Sequence, residues 1–394
     1  MRILHTALFY PPSVGGAQEV VRQISERLAA RGHDVTVATS RLTERTRQVS
    51  NGVRIVEFDV QGSQTSGFRG DVSGYQDFLL SYDGDVMMNY AAQQWSADLV
   101  FPLLDRLPYA KIFAPCGFSA LHDPSHAPYF RALPQTLSKY DRLIFHSDEY
   151  QDAGFARKHG LTNRRIIPNG CGADEFGGGG GALFRERYGI AKESPLLLSV
   201  GTHTGLKGHA LVIDAFVRAR IGPATLVIAG NALSSGGCAA ACRRSASVAQ
   251  VFSLGRKRVL VLDLSRAEIV AAYHAADLFV LGSAVECSPL VLFEAMASRT
   301  PFITTAAGNA AEIAGWGNSG ILVPSRRTPD GAVRAEPADF ARSIESLWRD
   351  ETARRRMADD GRAAWRSRFT WETIAVEYEE LYEEAVGARS SGAA

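Results

Sequence analysis

From the first residue onward, short apolar runs rich in β-branched residues alternate with segments of helical periodicity, and a chain so patterned folds as βαβ units laid into a parallel sheet. In the first half, strands are expected near Ile3–Phe9, Val35–Thr39, Val53–Phe58, Val86–Asn89, Lys111–Ala114 and Leu143–His146, with helices in the gaps. The first helix, from about Ala17 to Ala30, sets Val20, Val21, Ile24 and Leu28 on one side and ends before Gly32. The pattern breaks between Pro168 and Gly181, where Pro168-Asn169-Gly170 and the run Gly177 to Gly181 resist regular structure. It resumes at Leu196–Gly201 and continues through Leu226–Ala229, Val259–Leu262, Leu278–Leu281 and Phe302–Thr305. The expected class is therefore α/β, as two Rossmann-like doubly wound domains. A length of 394 residues, beyond the usual size of one hydrophobic core, agrees with two.

Charge narrows the partners. Lys and Arg number 43 against 42 Asp and Glu, too even for the basic footprint that a phosphate backbone requires, so no nucleic acid is expected. The opening Met1-Arg2-Ile3-Leu4-His5 lacks the sustained apolar stretch of a secretory signal. No apolar run approaches the roughly 20 residues of a membrane span. A cytoplasmic location follows as the expectation, with room for peripheral membrane contact. The cysteines, Cys116, Cys171, Cys238, Cys242 and Cys287, are odd in number and scattered, and read as free thiols. Cys238 and Cys242 share a helix face, but with no His or further Cys near them in sequence they read as packing residues and not as a zinc site.

The stretch Glu286-Cys287-Ser288-Pro289-Leu290-Val291-Leu292-Phe293-Glu294 follows a strand and opens a helix. Ser288 is expected as N-cap with Pro289 at the first helical position. The free N–H groups of Leu290 and Val291, at the positive end of the helix dipole, then make a seat for a diphosphate. A carboxylate accepts two hydroxyl hydrogen bonds, so Glu286 and Glu294, flanking that seat, suit sugar or ribose hydroxyls. Such a site asks for a nucleotide sugar.

These residues resemble family 4 of the retaining glycosyltransferases of GT-B architecture, whose signature is Glu-x7-Glu followed by Ala-Met-Ala, a small residue and Pro; here stand Glu286, Glu294, Ala295-Met296-Ala297 and Pro301. The resemblance implies two facing Rossmann-like domains about a cleft, with Glu294 on the ribose and Glu286 on the transferred sugar. Lys207-Gly208 matches the family's Lys-Gly, which implies that Lys207 neutralises the departing diphosphate. Where the family carries Arg after the Gly at Gly201, this chain has Thr202. Either His203, Arg256 or Arg258 is a substitute, or the site runs with one fewer charge. Gly15-Gly16 matches a Gly-Gly loop that lets backbone approach a phosphate or acceptor, and Pro168-Asn169-Gly170 matches a family linker. The family's His before Gly117 is Cys116 here, so either the sugar's 6-position differs or His122 and Asp123 act instead; a polar surface turn explains that pair equally. The expected organisation is an acceptor domain over 1–167, completed by a helix over 371–387, a Gly-rich linker over 168–184, a donor domain over 185–370 and a disordered tail over 388–394.

Asp83-Gly84-Asp85 imitates a metal-binding Asp-x-Asp but reads as a polar turn before a strand. With a helix terminus and Lys207 facing the diphosphate, neither metal nor cofactor is called for. No carboxylate nucleophile stands out, which suits the family's same-face reaction, in which the leaving phosphate takes the acceptor proton. Family frequency favours a UDP-sugar over a GDP-sugar as donor. Asn89 to Trp95 and Phe118 to Asp123 offer polar and aromatic groups to a sugar-like or small polar acceptor. A GT-B epimerase or phosphorylase, or a nucleotide-sugar-binding scaffold with a decayed site, are the alternatives.

Overall fold

A computed structural model describes residues 1–231 and 237–392. The chain forms two compact units, one of residues 1–169 with the segment from Trp371 onward, the other of Gly170–Thr370.

In the first unit, β1 (Arg2–Thr6) leads through α1 (Gly16–Ala30) to β2 (Asp34–Ser40), followed by β3 (Val53–Phe58), β4 (Val86–Tyr90), β5 (Ala110–Ala114), β6 (Arg142–Phe145) and β7 (Arg164–Ile166). They lie parallel in the order β7-β6-β5-β4-β1-β2-β3, with the short strand Val49–Ser50 antiparallel on the β3 edge. The order reverses between β1 and β4, the topological switch point of a doubly wound sheet, where ligands sit beyond the carboxyl ends of the strands. Helix α1 buries Val20, Val21, Ile24 and Leu28, as its periodicity requires. The closing helix, Trp371–Gly392, packs beside it through ion pairs of Arg27 with Glu372 and of Arg31 with Glu379, and through His33 Nε2, 2.6 Å from Glu379 Oε1. Under those pairs His5 bridges the elements, its Nδ1 2.7 Å from Ser25 Oγ and its Nε2 3.0 Å from Tyr382 Oη. The closing helix does not stop at 387. Ser390 and Ser391 hydrogen-bond back to the carbonyls of Val386 and Gly387, and Arg389 reaches Asp141, which replaces the expected disorder by helix as far as Gly392. Residues 393–394 lie outside the described part.

The second unit contains β8 (Leu196–Val200), α2 (His209–Arg218), β9 (Ala224–Ala229), α3 (Ala239–Phe252), β10 (Lys257–Leu262), α4 (Arg266–Ala275), β11 (Leu278–Leu281), α5 (Leu290–Ala297), β12 (Phe302–Thr304) and β13 (Gly320–Leu322). All six strands are parallel, in the order β10-β9-β8-β11-β12-β13. Both faces are covered: Leu196 and Leu198 enter one apolar cluster and Leu197 the other, which is why the strand reads as an unbroken apolar run. Fully burying each such side chain stabilises by about 1.5–3 kcal/mol.

The glycine-rich stretch is not a loose linker. Phe176, in the short helix Ala173–Phe176, is buried with its ring 5.8 Å from that of Tyr273. At Gly181 a Cβ would fall 2.4 Å from the carbonyl oxygen of His274, so glycine lets the following helix, Gly181–Arg187, close against the end of α4. Burial of Phe176 overrides the weak local propensity of its glycine neighbours, and the segment belongs to the second unit.

Candidate active site

The second sheet reverses its strand order between β8 and β11, so the loops leaving those strands, residues 201–208 and 282–289, meet at its carboxyl edge. They are locked together. Ala284 N donates to Leu206 O at 2.8 Å, and Gly208, at φ +69°, packs so closely that a Cβ would lie 1.9 Å from Gly282 O. Only glycine combines that left-handed backbone with that approach. Lys207 runs over Gly201, whose imaginary Cβ would be 3.0 Å from Lys207 Cγ, and its Nζ ends 2.6 Å from Glu286 Oε1. Ser283 Oγ donates to the same oxygen at 2.7 Å. Lys207, expected at the departing diphosphate, and Glu286, expected at the transferred sugar, are therefore one ion pair across 79 positions of sequence.

Helix α5 starts beside them at Leu290, with Pro289 as N-cap and no side-chain cap. Ser288 thus does not cap the helix: proline's fixed φ, −71° here with ψ 110°, already supplies the extended entry that a capping serine would. The amide groups of Leu290 and Val291 open the helix as expected. One turn on, Glu294 is buried and its Oε1 accepts from Arg266 Nη1 at 2.6 Å. Arg266 also donates to Glu175 Oε2 at 2.7 Å. Burial works against the guanidinium charge, but Glu294 and Glu175 outweigh it and hold the Arg266 pKa above its ordinary value. Arg266 is aimed by a capping box in which Ser265 Oγ accepts from Glu268 N and Glu268 accepts in return from Ser265 N, starting α4 at that residue. This arginine went unread in the sequence, although Ser265-Arg266-Ala267-Glu268 after β10 is a legible helix start.

The three candidate substitutes for the missing arginine do not fill its place. Arg256 and Arg258 stand at the amino end of β10, the opposite edge of the sheet, and Arg258 donates to the carbonyls of Tyr188 and Gly189. His203 is buried, its ring turned to His209 with centroids 4.7 Å apart. Thr202 is half-buried beside it. Cys238 and Cys242 are not isolated thiols either, because the loop after β8 brings His203 and His209 against them.

In the first unit, Gly16 is the exposed first residue of α1. Asn89 is no acceptor contact. It is buried, donating to Thr6 Oγ1 at 2.6 Å and accepting from Tyr140 Oη at 2.8 Å, because a polar side chain on a central strand must find partners inside. Cys116 sits just after β5 at φ +57° and is half-buried. His122 and Asp123 belong to an exposed turn: Asp123 caps the short helix Pro124–His126 through Ser125 N, and His122 Nε2 lies 3.2 Å from Gln151 Oε1. Asp83 and Asp85 both pair with Arg2, as a polar turn does. Beyond the carboxyl ends of β1, β2, β3 and β4 a pocket of about 490 Å³ opens, lined by Arg41, Asp59, Gln61, Gln93 and Gln94 together with Leu8, Phe9, Phe58 and Val60 and bordered by the buried Trp95. Trp95 Nε1 is held by Ser40 Oγ at 3.2 Å. No described helix is long and apolar enough to cross a membrane.

Two family models match the chain, glycosyl transferases group 1 over residues 182–364 and a glycosyl transferase 4-like domain over residues 15–170. A D-inositol 3-phosphate glycosyltransferase of Xylanimonas cellulosilytica is 26% identical over 99% of this chain and 97% of that protein. Among solved structures, sucrose-phosphate synthase of Thermosynechococcus elongatus superposes with a TM-score of 0.78 at 21% identity, covering 98% of this chain and 99% of that one. HepE of Anabaena, in complex with UDP-glucose, does so with a TM-score of 0.75 at 20% identity, covering 98% and 100%. The shared fold is GT-B.

Proposed function

The chain belongs to the group 1 glycosyltransferases, and from that membership we propose that it moves a hexose-type sugar from a nucleotide diphosphate, UDP before GDP, to a hydroxyl of a sugar-like or small polar acceptor, with retention of the anomeric configuration. The observation that carries the reading is the Lys207–Glu286 pair beside the first amides of α5, with Glu294 one helical turn further on.

On this reading the amides of Leu290 and Val291, the backbone at Gly201 and Thr202 and the Lys207 ammonium hold the diphosphate, and the charge that develops on the leaving group falls on them. Glu294, with one oxygen fixed by Arg266, offers the other to the ribose hydroxyls. Glu286 turns to the hydroxyls of the transferred sugar. The leaving phosphate takes the acceptor proton on the same face, so the protein supplies positioning and charge, and no cofactor or divalent cation at the diphosphate. The pocket that Arg41, Asp59, Gln93 and Gln94 line is the acceptor side, and those charged and amide groups suit a hydroxyl-rich ligand. The D-inositol 3-phosphate in a relative's name and the UDP-glucose bound to HepE are consistent with those choices.

Thermal unfolding against UDP, GDP, ADP and dTDP and their sugars, with and without magnesium, tests the donor. A ligand at a hundredfold excess over Kd stabilises by about 2.7 kcal/mol. The reading requires a shift with one base, unchanged by magnesium; no shift with any nucleotide would overturn the donor assignment, and a shift without turnover would favour the decayed scaffold. Proton NMR of the product then reads the anomer, and an inverted linkage would rule out the same-face mechanism.

A further inference from the structure

We propose that His203, His209, Cys238 and Cys242 form a tetrahedral zinc site that staples the loop after β8 to the first turn of α3. The ligand atoms of the four side chains all lie within 4.8 Å of one another. The separations carry the inference. A tetrahedral zinc with Zn–S of about 2.3 Å and Zn–N of about 2.0–2.1 Å sets its ligand atoms about 3.8 Å apart for two sulfurs, about 3.3 Å for two nitrogens and about 3.6 Å for the mixed edges. Here Cys242 Sγ is 3.8 Å from Cys238 Sγ, and His209 Nδ1 is 3.3 Å from His203 Nδ1. Cys238 Sγ is 3.5 Å from His203 Nδ1 and 3.9 Å from His209 Nδ1. Four of the six edges of a coordination tetrahedron are thus met, and the two from Cys242 Sγ to the histidine nitrogens lie within 4.8 Å.

The chemistry of the set agrees. Two thiolates and two imidazoles make a borderline-soft donor set that suits zinc, and two thiolates cancel the charge of the ion. That neutrality is what permits burial: His203, His209 and Cys242 are each at most 2% exposed. Four protein ligands leave no open position, so the ion is structural. Backbone prepares the arrangement, since Cys238, N-cap of α3, donates its N–H to His203 O at 2.9 Å, and Cys242 follows one turn on. Lys207 lies between the two histidine ligands in the chain, so the ion fixes both flanks of its loop. The inference stands on ligand geometry and does not depend on whether the chain turns over a sugar nucleotide.

The test is elemental analysis of the full chain purified without added metal, together with cobalt(II) titration of the chelator-stripped protein. The expected result is close to one zinc per chain, retained through gel filtration, lost in the Cys238→Ser/Cys242→Ser double variant and kept in Cys287→Ser. Stripping should lower Tm, and zinc should restore it with release of protons from the thiols. Cobalt(II) should give the intense visible bands of a tetrahedral ion and a thiolate-to-cobalt band sized for two sulfurs. Because that titration uses the wild-type chain, it decides the matter even when the double variant does not fold. Zinc far below one per chain with no thiolate-to-cobalt band, or a Cys238–Cys242 disulfide in the protein as isolated, overturns the proposal.

Discussion

Removing the Lys207 ammonium and removing the Glu286 charge should have opposite effects on nucleotide binding, although the two groups form one ion pair 2.6 Å long. In Lys207→Ala the diphosphate loses a charged hydrogen bond, each of which is worth about 1.5–3 kcal/mol. With a factor of ten for each 1.4 kcal/mol, UDP affinity and kcat/KM should fall by about ten- to a hundredfold. Glu286 is not orphaned by that change, because Ser283 Oγ still donates to it at 2.7 Å, so the fold should survive with little change in Tm. Glu286→Gln keeps an acceptor for Ser283 and frees the ammonium from its competitor. UDP without a sugar should then bind as tightly as to wild type or more tightly, while transfer falls because the sugar hydroxyls lose their charged acceptor.

Isothermal titration with UDP, paired with turnover of the UDP-sugar, separates the two effects. The decisive quantity is the sign of the affinity change in Glu286→Gln. Equal weakening of UDP binding in both variants would mean that the pair only holds the two loops together, and wild-type binding in Lys207→Ala would remove the lysine from the diphosphate altogether.

Gly208→Ala should cost at least about 1–2 kcal/mol from left-handed backbone strain alone, before the contact with Gly282 O is relieved; a drop in both Tm and UDP affinity checks it, and an unchanged Tm contradicts the packing described. Arg266→Ala strands the buried Glu294 carboxylate and should destabilise by about 1–3 kcal/mol, a loss that adding Glu294→Gln recovers in a double-mutant cycle by urea unfolding. His5 is held neutral by burial, its pKa lowered from 6.5 to about 3, so the native state refuses a proton that the unfolded chain accepts. Its contribution is therefore complete above pH 6.5 and is lost as pH falls toward 3, by about 1.4 kcal/mol per unit. Urea midpoints across that range should fall less steeply in His5→Gln, and parallel slopes would argue against it. Gln94→Trp should fill the pocket beside Trp95 and suppress transfer while UDP binding stays as in wild type; unimpaired transfer would remove that pocket from the acceptor path.

The central strands of both sheets were legible because they are buried on both faces, whereas the edge strands β7 and β13, short and only part-buried, were not. Leu196 to Val200 carries apolar side chains toward two clusters at once, and a run without polar alternation admits few other readings. Chain termini of elements were less legible, since they depend on partners far away in sequence. The closing helix outlasts its local signal because Arg389 finds Asp141, 248 residues earlier, and the glycine run is ordered because Phe176 finds Tyr273. The same limit hid the histidine neighbours of Cys238 and Cys242. Cys238 and Cys242 have no histidine within their own helix, and only the return of the chain from β8 to α2, beside β9 and α3, brings His203 and His209 to them. Asn89 misled for the opposite reason: its residue type suits sugar recognition, but its strand position is interior, and burial decides what a polar group may bind.

The missing arginine at Thr202 shows what a motif reading leaves out. Charge is needed at a point in space, and in a parallel sheet every strand delivers its following loop to the same edge, so a cation from any βα loop qualifies and one from an αβ loop does not. Arg256 and Arg258 enter β10 from the wrong end, whereas Arg266 follows it and stands at the right one. Yet Arg266 is already committed to Glu294 and Glu175, with its pKa raised by them. On the proposed reading it therefore orients the ribose carboxylate and does not neutralise the leaving group. Lys207 is then the one side-chain cation that the two site loops and α5 offer the diphosphate, and the loss on its removal should lie toward the upper end of the range given above.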